Sequence, residues 1–90
     1  MNYVYVLKSL KDGKFYVGWT KNLKLRLYQH NKGLINSTRK RRPLKLIYYE
    51  ACLNKYDAIK REKYLKTAWG KRYIKNRLKN YLTGETNIEI

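Results

Sequence analysis

The chain has 90 residues, 43% of them hydrophobic and 14% aromatic, enough apolar material for one modest core and too little for two. Its 22 lysines and arginines against 6 carboxylates give a formal charge of +16, and self-repulsion of that size points to a polyanion, nucleic acid first, over a merely solvated basic surface or a ribosomal-type structural role. The lone Cys52 excludes an internal disulfide and a four-cysteine zinc site, and no run approaches the ~18 apolar residues of a membrane span, so a cytoplasmic protein without a membrane partner is expected.

Residues 2–8, NYVYVLK, alternate Tyr3, Tyr5 and Leu7 against Val4 and Val6, the period-two pattern of a strand with useful side chains on both faces. An Asp12-Gly13 turn then leads into a second strand, FYVGWT, so a hairpin is predicted. With Asp12 and Gly13 as the only loop residues, Leu7 pairs with Gly18 and Tyr5 with Thr20, and Tyr5, Leu7, Tyr16, Gly18 and Thr20 share one face. Tyr5 and Tyr16 would then stand four residues apart along the ribbon, ~13 Å, and a looser turn that shifts the pairing by two is needed to bring their hydroxyls together. Gly18, without a side chain, would leave an open notch.

From Asn22 to Asn31 the spacing of Leu23, Arg26, Leu27 and His30 predicts a helix with a cation and an imidazole on its apolar stripe. KGLINSTRKRRP reads as a loop carrying the basic run Arg39 to Arg42, and LKLIYYEAC as a third strand. In NKYDAIKREKYLKTAW a second helix places Glu62 on an otherwise apolar stripe of Ala58, Leu65 and Trp69. A third helix, KRYIKNRLKNYL, turns Ile74, Leu78, Tyr81 and Leu82 inward and Lys71, Lys75 and Lys79 outward. The prediction is one α+β domain over residues 1–83, a small three-stranded antiparallel sheet flanked by helices in the order ββαβαα, with a polar tail at 84–90.

Local patterning leaves Tyr5, Tyr16, Arg26, His30 and Glu62 unexplained, and together they are the parts of a phosphodiester-cleaving site. A carboxylate can hold a hard divalent ion that keeps waters and a substrate phosphate as its other ligands. Arginine offers a fixed fork to phosphate oxygens, and tyrosine or histidine can take a proton from water. Four of the five have a plainer reading: strand residues for the tyrosines, a helix C-terminal position for His30, and for Glu62 a surface pair with Lys66, against which its place on the apolar stripe argues.

YVYVL followed by FYVGW resembles the paired tripeptides of the GIY-YIG endonucleases, a class that includes the excision-repair incision nuclease of DNA repair, intron homing endonucleases and structure-specific resolvases. The resemblance continues through NLKLRLYQH and AIKREKYLK and covers nearly the whole chain, which looks most like the short single-domain bacterial members. It implies metal-dependent hydrolysis of DNA leaving a 5′-phosphate and a 3′-hydroxyl, with Mg²⁺ or Mn²⁺ on Glu62. Tyr16 would deprotonate the attacking water, Tyr5 orient it, His30 assist or substitute as proton acceptor, and Arg26 contact the scissile phosphate. Nucleic-acid contacts would come from Gly18, Trp19, the run Arg39, Lys40, Arg41 and Arg42, the row Lys71, Lys75 and Lys79, and Asn76 as the last helix's polar residue. Two positions depart from the family pattern: Tyr3 replaces the first glycine, and Trp19 stands where several members have lysine. Trp19 could supply a stacking surface, although both Trp19 and Trp69 read more readily as packing. A monomer or weak homodimer is expected, and a catalytically silent nucleic-acid-binding module is the alternative reading.

Overall fold

The computed structural model describes residues 1–84. Strands β1 (Asn2–Ser9), β2 (Phe15–Thr20) and β3 (Leu44–Cys52) form one antiparallel sheet in the order β2-β1-β3. Helices α1 (Leu23–Asn31), α2 (Lys55–Leu65), α3 (Ala68–Arg77) and the short α4 (Lys79–Thr83) complete the chain, with one 3₁₀ turn at Arg39–Arg41. The architecture is the predicted ββαβαα order, except that the last helix breaks at Leu78. Residues 85–90, most of the predicted polar tail, lie outside the described residues.

Because β1 is the central strand, both of its faces are covered, and its alternation sorts two cores. Val4 and Val6 join Val17, Ala58, Leu65 and Ile74 beneath α2 and α3, while Tyr5 and Leu7 join Leu44, Leu23 and Leu27 beneath α1. A bulge in β3 between the partners of Val6 and Leu7 keeps Tyr48 with the first core and Leu46 with the second. On the first face, the Arg61 fork of α2 grips Glu50 of β3 at 2.9 and 2.8 Å, and the Tyr48 hydroxyl donates to the same carboxylate. Burial works against ionisation of Glu50, but Arg61 and Tyr48 hold it below its ordinary value.

The hairpin register differs from the two-residue turn. Tyr5 pairs with Gly18 and Leu7 with Tyr16, a shift of two residues, because residues 10–13 form a wider loop closed by Gly13 N–H donating to Ser9 O and Ser9 N–H to Lys14 O. The Ser9 hydroxyl, buried beneath the loop, accepts from the backbone of Lys11 and Asp12, and Gly13 takes φ +73°. The looser turn is therefore the one the chain adopts.

The second helix also ends earlier than its apolar period implies. Thr67 donates its hydroxyl to Tyr64 O and accepts from Gly70 N–H, closing α2 and capping α3 in one residue. Trp69 consequently leaves the α2 stripe and points outward, 67% exposed. The helix predicted from Lys71 starts earlier, at Ala68, so Gly70 lies inside the first turn of α3, against the Tyr64 carbonyl and the Leu65 backbone. Tyr81, expected inward, is 46% exposed beside Lys45. A methyl group at Gly70 would meet backbone that cannot move aside cheaply, so Gly70→Ala is expected to destabilise by about 1–3 kcal/mol, read as a lower urea midpoint at unchanged slope.

Candidate active site

The site grows out of the register. Tyr5 is fully buried, and its ring reaches across the strand to Gly18, where a Cβ would sit 2.5 Å from the hydroxyl. The predicted open notch at Gly18 is thus filled by Tyr5 itself. Tyr16, two residues back on β2, shares the face, with its ring centroid 6.4 Å from that of Tyr5.

Asn22 caps α1 by accepting from Leu25 N–H, and this phase brings His30, in the last turn, under the sheet. His30 is completely buried: Nε2 is 2.8 Å from the Tyr5 hydroxyl and Nδ1 is 2.7 Å from the Thr38 hydroxyl. Thr38, also completely buried, comes from the loop read only as a basic linker. Ser37 beside it reaches the Tyr16 hydroxyl at 3.4 Å. Sequence reasoning missed both, since no local period marks a hydroxyl whose partner lies on another element.

Burial first, then the nearby Arg26 charge, pushes the His30 pKa down to about 4, so the imidazole is neutral and carries one proton between two hydroxyl partners. Burial likewise pushes Tyr5 up to about 12, opposed by Arg26 and reinforced by Tyr16 and Glu62, so its phenol keeps its proton. Of the two charged groups, Arg26 acts on that hydroxyl more strongly than Glu62. Arg26 is half-buried; its Nη1 donates to Gln29 Oε1 at 3.5 Å, and its Nε is buried without a hydrogen-bond partner among the described residues. Glu62 projects from α2, its side chain only 16% exposed, and pairs with the more exposed Lys66 at 3.1 Å. The pairing that the apolar stripe argued against is therefore present, and Glu62 is sheltered as well.

The structure brings Tyr5, Tyr16 and His30 into one cluster with Arg26 beside it, while Glu62 touches none of them by a hydrogen bond among the described residues and is paired with Lys66. Trp19 is half-buried against the first core, with Lys55 Nζ 6.0 Å from its ring. Arg41 is clamped to Asp12 at 3.0 Å, whereas Arg39, Lys40 and Arg42 line a cavity of about 690 Å³ with Lys11, Asn31 and Pro43. Lys71, Lys75 and Lys79 are exposed and face the Gly13–Phe15 end of the hairpin. Asn76 is exposed, and among the described residues no hydrogen bond ties it to the tyrosines or Glu62. No cluster of three or more His, Cys, Asp or Glu side chains is present among the described residues, so any metal here would rest on one carboxylate, with water and phosphate as its other ligands. No helix among the described residues is long and apolar enough to cross a membrane.

One sheet face carries two tyrosines, the first helix an arginine and the second a glutamate, and residues 1–79 match the GIY-YIG catalytic domain, a nuclease family. The chain belongs to that family. It is 51% identical over 67 residues to a UPF0213 protein of Clostridium perfringens, covering 73% of this chain and 71% of that one. A UPF0213 protein of Staphylococcus saprophyticus is 40% identical over 67 residues, with 73% and 80% covered. The solution NMR structure of a UPF0213 protein from Bacillus halodurans superposes with a TM-score of 0.51 at 33% identity, covering 82% of each chain.

Two tests follow from this geometry. His30 binds protons more weakly folded than unfolded, so its contribution is present above its ordinary value near 6.5 and is lost as pH falls toward about 4. Stability should therefore drop from pH 7 to pH 4, by on the order of 2–3 kcal/mol from this residue, and His30→Gln should flatten that part of the urea-midpoint profile. Gly18→Ala should push the Tyr5 hydroxyl off Nε2, moving the His30 ring-nitrogen NMR shifts while Thr38 stays in place.

Proposed function

We propose that the protein is a divalent-metal-dependent endonuclease that hydrolyses DNA phosphodiester bonds, leaving a 5′-phosphate and a 3′-hydroxyl. The observation that carries this reading is the Arg26 Nε, buried and without a hydrogen-bond partner among the described residues, one helical turn before the His30 that holds Tyr5. An unsatisfied guanidinium N–H is costly in a folded interior and is satisfied by an incoming anion such as a phosphate oxygen.

Tyr16 is half-buried, and among the described residues its hydroxyl is held by the long contact to Ser37; with its own proton given up to solvent, it would take the proton of the attacking water. Tyr5 cannot serve as that base, because it keeps its own proton; it orients the water or the phosphate by hydrogen bonding. His30 has no open nitrogen, so its part is to hold Tyr5 in position. The water oxygen bonds to phosphorus as the bond to the 3′ oxygen breaks, and the departing oxygen takes up a proton from solvent water. Arg26 offsets the charge that develops on the phosphate oxygens. Glu62 would hold Mg²⁺ or Mn²⁺, whose bound form supplies Lewis-acid neutralisation of phosphate charge. Its shelter and its exposed, displaceable Lys66 partner suit that task. Arg39, Lys40 and Arg42, with the row on α3 and α4, supply phosphate contacts that weaken with salt.

End-labelled duplex, single-stranded, flapped and junction DNA, incubated with Mg²⁺ or Mn²⁺, should be cut by the wild type. Tyr16→Phe and Glu62→Gln, folded by circular dichroism, should cut roughly 100-fold more slowly or worse. Binding of every substrate with cutting of none would instead make the chain a silent binding module.

A further inference from the structure

Trp69 belongs to neither apolar cluster and is 67% exposed, an unusual position for the side chain that gains most from burial. Its backbone is nevertheless held firmly. Thr67 caps the turn on which it stands, and Gly70 presses that turn onto the end of α2. Arg72, three residues on and so on the same helix face, sets its guanidinium carbon 5.0 Å from the indole centroid. An aromatic plate is thus fixed to the scaffold, backed by a cation and open to solvent. It stands three residues beyond Lys66, the ionic partner of Glu62, across the helix break at Thr67.

The charge around the plate selects what can cover it. From Lys63 to Gly84 the sequence has no aspartate or glutamate and a lysine or arginine in nearly every turn. A second copy of the chain would bring like charges together. A duplex answers the charge, but its bases are already stacked on one another. A strand with an unpaired base offers both phosphates and a free π face.

We propose that Trp69, supported by Arg72, is a stacking platform for an unpaired nucleobase of the bound nucleic acid. Any bearing on the cleaved bond rests on the nuclease reading above, whereas the stacking itself does not. The platform makes nucleic acid with single-stranded or unpaired character the preferred ligand over perfect duplex.

The test is binding in EDTA, followed by fluorescence anisotropy, so that no cleavage is needed. Wild type, Trp69→Ala and Trp69→Phe are titrated against a short labelled single strand, the matching blunt duplex and vesicles containing phosphatidylserine. Trp69→Ala should weaken single-strand binding roughly fivefold or more and duplex binding much less, while Trp69→Phe retains most of the affinity. Equal losses on both nucleic acids, no loss on either, a Trp69-dependent affinity for the vesicles alone, or a change in oligomeric state on sedimentation would each overturn the platform. Circular dichroism checks that the exposed substitution leaves the fold intact. If the single strand shows the Trp69 dependence and nothing is cut when metal is added, the nuclease reading fails and the platform stands. Cutting without any Trp69 discrimination gives the reverse.

Discussion

His30 is where the chain's separate segments are tied into one site. Its two ring nitrogens meet a hydroxyl from the central strand and a hydroxyl from the long basic loop at 2.8 and 2.7 Å, deep enough that the imidazole cannot readily carry charge. A neutral imidazole has one donor and one acceptor. Both partners must therefore be in place, or a buried polar atom is left unsatisfied. That requirement fixes the Tyr5 hydroxyl, holds the loop down at Thr38, and sets the phase in which α1 packs against the sheet.

The rest of the site inherits its positions from that tie. Tyr5 can reach His30 because Gly18 has no side chain in its way, and Gly18 stands opposite Tyr5 because the wide loop at residues 10–13 sets the register. Arg26 lies one turn before His30 on α1, so the phase that buries the imidazole also delivers the guanidinium to the same hydroxyl. Glu62 arrives from the other face of the sheet on α2, which the Glu50–Arg61 fork and the Gly70 contact hold in place.

The positive charge is spread over parts of the fold with different tasks. Arg41 is spent on Asp12, fastening the basic loop to the hairpin, and Arg61 on Glu50. Arg39, Lys40 and Arg42 are left around an open cavity, and the α3 and α4 lysines around the hairpin end. An even coating of cations would serve solubility alone, but these groups, without an ion-pair partner among the described residues, line concave surfaces, where a polyanion's field and shape are met together.

The sequence by itself determined the three strands, the order of the elements, and the separate placing of Tyr5, Arg26, His30 and Glu62 on apolar stripes, because period and turn chemistry act over a few residues. Thr67 was legible in principle as a capping residue that restarts a helix, yet the run Ala58, Leu65, Trp69 kept the period of one continuous helix and concealed it. Tertiary structure alone decided that Thr38 and Tyr5 share one imidazole, that Tyr5 fills the space at Gly18, that Glu62 is both sheltered and paired, and that Trp69 faces solvent. Those outcomes turn on ångström-scale meetings between segments distant in sequence. A two-residue difference in turn length moves every such meeting without altering the alternation from which the strands are read.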